Sequence, residues 1–142
     1  MIRYKLYQDN RMNSSKKGYW YARAVNEEMY NTERLARHMA EHNTPYSAGV
    51  IKGVLTDMIS CIKELILDGK GVKLDDLAIF SVGIQSAGAQ QVKDFNAGEH
   101  VKGVRLRARA TGRLAISKLK AEAVFREYSE YDVKKADEGT GV

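Results

Sequence analysis

The chain has 142 residues, with hydrophobic residues at 44%, charged residues at 29%, a single cysteine and a single proline. That length and balance fit one ordinary folded domain and argue against a disordered chain, a disulfide-stapled scaffold or a membrane protein. The net charge of +5 hints at a polyanionic partner, but only its distribution along the chain can carry that argument.

Met1 to Lys5 leads into alternation rather than an apolar block, so a secretory leader is not expected. Ile2, Tyr4 and Leu6 alternate with Arg3, Lys5 and Tyr7, which predicts a strand over 2–8. Residues 9–18 are polar turn-formers and read as a loop. Tyr19 to Val25 is aromatic and branched enough for a second strand, pairing with the first as a hairpin.

Thr32 reads as the N-cap of a first helix, with Glu33 well placed for the helix dipole. Leu35, Ala36, Met39 and Ala40 share one face of it. The helix ends near His42 and Asn43, and Thr44-Pro45 marks the turn. Ser47 caps a second helix reaching about Asp68. Its apolar residues are Val50, Ile51, Val54, Leu55, Met58, Ile59, Cys61, Ile62, Leu65 and Ile66. Adjacent apolar pairs recur every turn, so the face is wider than one neighbour needs. A second copy of the chain is the natural cover, which predicts a homodimer.

Gly69-Lys70-Gly71 ends that helix. Val72-Lys73-Leu74, a turn at Asp75-Asp76, and Ile79 to Val82 read as strand, turn, strand. Residues 83–91 are rich in Gly, Ser and Gln and read as an arm-like loop. Val101 to Ala110 alternates again. Thr111 is placed to cap a third helix reaching about Lys120. Residues 123–128 fit either a closing strand or a continuation of that helix. Residues 132–142 read as a flexible polar tail, leaving one domain over 1–131.

Between His100 and Ala121 there is no acidic residue, while Lys102, Arg105, Arg107, Arg109, Arg113, Lys118 and Lys120 all fall there. Arg105, Arg107 and Arg109 occupy alternate positions. On a strand they share one face, about 6.5–7 Å apart. That is close to the ~7 Å between neighbouring phosphates on a nucleic-acid strand. A guanidinium suits phosphate because its fork donates two parallel hydrogen bonds. The same alternation also serves simply to keep an exposed sheet face soluble.

This order of elements resembles the HU/IHF family of bacterial histone-like proteins. The segment Leu67-Asp68-Gly69-Lys70-Gly71-Val72-Lys73-Leu74-Asp75-Asp76-Leu77-Ala78-Ile79-Phe80 is similar to that family's helix end and first hairpin. Tyr4-Lys5-Leu6 with Tyr19-Trp20-Tyr21-Ala22-Arg23, the strand Val104-Arg105-Leu106-Arg107 and the closing Val124-Phe125-Arg126 resemble a subgroup common in Bacteroidetes, which has an extra N-terminal strand pair. The resemblance implies an α+β fold of two N-terminal helices, a sheet with an arm and a short C-terminal helix, in an intertwined dimer. It also implies sequence-tolerant binding of duplex DNA through phosphates and the minor groove, in the nucleoid of the cytoplasm. Carried over by position, Arg107, Arg109 and Arg113 are the central contacts, with Lys93 and Lys102 near the arm; the acid-free stretch itself adds Arg105, Lys118 and Lys120 to the candidate DNA-binding residues. The chain departs from the family at the arm. The only proline is Pro45, so no proline can wedge between base pairs there, and Lys93 is the one basic residue of 83–95.

Other signals point to structure rather than chemistry. His38 and His42 are four apart, but no further ligand accompanies them and they read as solvated helix-end residues. Cys61 reads as a packed thiol. Trp20 and its neighbouring tyrosines could stack on bases, but read first as the core of a small sheet. No spacing supports a catalytic constellation, so neither an enzyme nor a cofactor, metal or small-molecule substrate is expected. An alternative keeps the fold and makes it a protein-interaction or assembly module.

Overall fold

A computed structural model describes residues 1–128, which form two compact units: Met1–Met29 with the segment from Ala121 on, and Tyr30–Lys120. The polar tail expected over 132–142 lies outside the described residues. No helix among the described residues is long and apolar enough to cross a membrane.

The first unit is a three-stranded sheet with the first strand of the chain in the middle. Strand β1 (Ile2–Gln8) and β2 (Trp20–Ala24) form the expected antiparallel hairpin, with Tyr7 opposite Tyr21 and Lys5 opposite Arg23. The connection between them is organised by Asp9, which is only 5% exposed. Its carboxylate accepts hydrogen bonds from the Arg11 side chain at 3.0 Å, from the Arg11 backbone N–H and from the Ser14 hydroxyl. The Arg11 side chain foremost, then Ser14, holds the Asp9 carboxyl far below the usual carboxylate range. Of the two readings open for residues 123–128, the strand is the one adopted. β6 (Phe125–Glu127) pairs parallel with β1, Ile2 facing Phe125.

The second unit begins with α1 (Thr32–Ala40). Its cap is Asn31 rather than Thr32: the Asn31 side chain accepts from the Arg34 N–H at 2.8 Å. Both residue types can cap, and the helix starts one residue earlier than the apolar pattern indicates. Ser47 caps α2 (Ala48–Leu67) as expected, accepting from the Val50 N–H. Glu33 of α1 reaches the Lys52 ammonium of α2 at 3.5 Å and also Arg37 of its own helix. Those two cations, Lys52 first, lower its carboxyl pKa.

After α2, β3 (Val72–Leu74), β4 (Ala78–Ser86) and β5 (Val101–Ala110) make a sheet in that order. Asp75 and Asp76 form the turn between β3 and β4, with Asp76 in the left-handed region at φ 63°. The loop expected from residue 83 begins later. Residues 83–86 extend β4 and pair with β5, Ile84 opposite Val104 and Gln85 opposite Gly103. The weak strand preference of Gly, Ser and Gln is overridden by a partner strand of high propensity. The remaining connection holds a single 3-10 turn (Val92–Asp94) and one helical turn, α3 (Ala97–His100).

The continuous helix expected from Thr111 is broken. A 3-10 turn (Gly112–Leu114) comes first, then α4 (Ile116–Glu122), and the Thr111 side chain caps neither. Gly112 sits at φ 57°, and a Cβ there would overlap the Asp76 carboxylate and lie 2.7 Å from the Asp76 Cα. The chain therefore leaves β5 through a junction with Asp76 that only glycine fits.

Burial within the chain is sparse. Among the described residues the buried hydrophobics are Ala36, Ile51 and Ala78, and no large side chain is fully buried. On α2, Ile51, Leu55, Met58, Ile62 and Ile66 form one stripe that is buried or half-buried. The adjacent stripe of Val50, Val54, Cys61 and Leu65 is open to solvent, with Val54 63% exposed. Cys61 is thus exposed in the single chain rather than packed. Trp20 is likewise no core residue, since it is 46% exposed.

Candidate nucleic-acid interface

The long hairpin of β4 and β5 has two chemically distinct faces. Directly opposed residues of an antiparallel pair point the same way, and the register pairs Phe80 with Ala108, Val82 with Leu106 and Ile84 with Val104. These make an apolar face. The other face pairs Ile79 with Arg109, Ser81 with Arg107 and Gly83 with Arg105. The three arginines are exposed and stand in one row, as their alternation predicts.

The neighbours across the strand shape that row. The Arg107 side chain lies over Gly83, so that a Cβ at Gly83 would come within 2.5 Å of the Arg107 Nε. Sequence reading placed Gly83 in a loop and missed this role, because the cue is the register and not the residue type. Gly83→Ala is expected to displace the Arg107 guanidinium at little cost in stability, because the clash is with a flexible side chain. Its measurable effect is weaker duplex binding, smaller than that of Arg107→Gln, with an unchanged melting temperature.

The other basic residues are placed less uniformly. The pairing skips Lys102, since Ser86 is opposite Val101 and Gln85 is opposite Gly103. Lys102 is therefore the extra residue of a bulge, and its ammonium donates to the Glu99 carbonyl at 2.7 Å. Lys93 lies in the 3-10 turn of the connection, beside Asp94. Arg113 follows the tight glycine, where its backbone N–H donates to Asp76 and its Nε stands 3.4 Å from the same carboxylate. An aspartate twenty-four residues before the acid-free stretch thus reaches one of its cations, a pairing that only the fold reveals. Lys118 and Lys120 are exposed on α4. They are two apart, and so lie on different sides of that helix.

His38 and His42 lie on one side of the end of α1, their Nε2 atoms 3.1 Å apart in a ring-to-ring hydrogen bond. Among the described residues no group of three or more His, Cys, Asp or Glu stands together as a metal would require.

Two helices, then a sheet whose last two strands run on as a two-faced ribbon, then a short helix, define an α+β protein compatible with an HU-like domain. The chain belongs to the family described as an HU domain fused to a wHTH, Ig, or glycine-rich motif, whose model matches residues 1–123. The matched span includes the β1–β2 hairpin. No curated protein matches the chain.

Proposed function

We propose that the chain is an architectural DNA-binding protein of the nucleoid. In this reading two copies hold duplex DNA largely without regard to sequence, chiefly through its phosphates. The observation that carries the proposal is the exposed row of Arg105, Arg107 and Arg109 on one face of β5, backed by an apolar face on the same hairpin. Membership of an HU-domain family supports the same reading. Lys102 extends the basic surface, Lys118 and Lys120 add charge from different sides of α4, Lys93 sits near the arm, and Arg113 contributes in part, its charge being shared with Asp76.

The dimer is part of the proposal. An uncovered stripe on α2 and an uncovered apolar face on the hairpin, with Leu106 59% exposed and Ile84 63% exposed, are surfaces that a second copy would bury. The proposal also places the chain in the subgroup with an extra N-terminal strand pair, treats residues 1–131 as one functional domain, and gives it no catalytic role, cofactor or small-molecule substrate.

The second reading makes the arm a contact for another protein. It draws on Val92, which is 96% exposed at the connection beside Lys93 and Asp94. Gel retardation of several duplexes of unrelated sequence at low salt separates the two. The DNA reading expects retardation of all of them at similar concentrations. Absence of retardation, with a protein co-purifying in fixed ratio, would replace it with the second reading.

A further inference from the structure

The sheet of the first unit also has two unlike faces, and one of them carries a chemistry that the β5 row does not. By register, Ile2, Leu6, Ala22, Trp20 and Phe125 share one side. The opposite side carries Arg3, Lys5, Tyr7, Tyr21, Arg23 and Arg126. Cations stand there on all three strands, and the two tyrosines lie opposite each other on β1 and β2.

The side chains are arranged as a platform. The Tyr7 and Tyr21 rings lie 5.9 Å apart between centroids, with an interplanar angle of 32°. The Arg23 guanidinium carbon stands 4.7 Å from the centroid of the Tyr7 ring. Arg3 stands 4.9 Å from the ring of Tyr128 and pairs with Glu27 at 3.0 Å. A recess of about 350 Å³ opens beside the rings, lined by Tyr7, Gln8, Asp9, Asn10, Arg11 and Tyr21. Its one carboxylate, Asp9, is already fully engaged by Arg11 and Ser14. The open charge of this face is therefore positive, at Arg23 and Arg126, both exposed.

We infer that this tyrosine–arginine face binds single-stranded nucleic acid, stacking unpaired bases on Tyr7 and Tyr21 and holding the flanking phosphates with Arg23 and Arg126. Aromatic rings on a sheet surface can reach base faces only where the bases are unpaired, because a duplex hides them in its stack. The adjoining guanidiniums add cation–π contact and phosphate hydrogen bonds. The β5 row has arginines without rings and so suits a backbone alone. The inference stands on its own side chains and does not require the duplex site to exist.

The test uses the full chain with two fluorescein-labelled probes read by anisotropy at low salt: a short oligothymidylate and a blunt duplex of equal length. Tyr7→Ala with Tyr21→Ala is expected to weaken oligothymidylate binding by roughly tenfold or more and to leave duplex binding unchanged. Tyr7→Phe with Tyr21→Phe, which keeps the rings, is expected to retain it. Arg23→Gln with Arg126→Gln, at exposed positions, is expected to weaken oligothymidylate binding and reduce its salt dependence. It is the deciding variant if the alanine pair loses its native circular dichroism. Oligothymidylate that fails to bind, that binds the alanine and arginine variants as well as the parent, or that is released only by changing Arg105, Arg107 and Arg109, would overturn the inference. Duplex binding, followed in parallel, reports separately on the arginine row.

Discussion

Arg105, Arg107 and Arg109 replaced together by glutamine are expected to cost the proposed dimer at least a hundredfold in duplex affinity at low salt. All three are exposed and share one face of β5, so their removal leaves no buried charge behind and the fold is spared. If each lost phosphate contact contributes about 0.5–1 kcal/mol, six contacts from two protomers remove about 3 kcal/mol or more, and 1.4 kcal/mol is about tenfold. The logarithmic salt slope should shrink by about 5 as well, close to one unit per contact. Direct titration of a labelled duplex checks both numbers. A variant with parental affinity and slope would move the binding surface elsewhere. Single changes should act in proportion and uniformly across sequences, since a phosphate contact reads no bases.

Val54→Lys is expected to abolish the dimer. Val54 is 63% exposed within one chain, and lysine is at least as good a helix former as valine. In a monomer the change would therefore shift stability by no more than about 0.5 kcal/mol. Under the proposed dimer the same position lies in an apolar contact formed twice by symmetry. An unpaired ammonium enforced there costs about several kcal/mol per copy. Sedimentation equilibrium should show a shift to monomer, and thermal unfolding should occur well below that of the parent, because so little is buried within the single chain. A variant as dimeric and as stable as the parent would remove α2 from the interface. Loss of the dimer should also weaken duplex binding, as each protomer then offers only its own row.

The two predictions rest on features that differ in how far the sequence displays them. The arginine row follows directly from alternation: residues two apart on a strand share a face whatever surrounds it. The excess width of α2 is visible in the same way, from Val50-Ile51 to Leu65-Ile66. What covers a face is a different matter. Cys61 and Trp20 are apolar and patterned like core, yet stand exposed, because patterning ranks the faces of an element without saying whether its own chain supplies the neighbour. The extension of β4 through Ser86 was hidden because Gly83 and Ser86 read locally as loop, while β5 holds them in register. The bulge at Lys102 and the Asp76–Arg113 pair have no local cue, since each depends on a residue brought close by a strand pairing. The tyrosine–arginine platform was half visible. Alternation in β1 displays Arg3, Lys5 and Tyr7 together, but only the parallel pairing with β6 adds Arg126. That pairing joins segments more than a hundred residues apart.

The salt dependence of duplex binding by the unaltered protein tests the central claim most directly. Six arginines on phosphates, before the further lysines are added, predict that affinity falls by about a thousandfold or more between roughly 50 and 200 mM monovalent salt, with a logarithmic slope of about −5 or steeper, alike for duplexes of unrelated sequence. A slope near zero, or binding confined to one sequence, would contradict it.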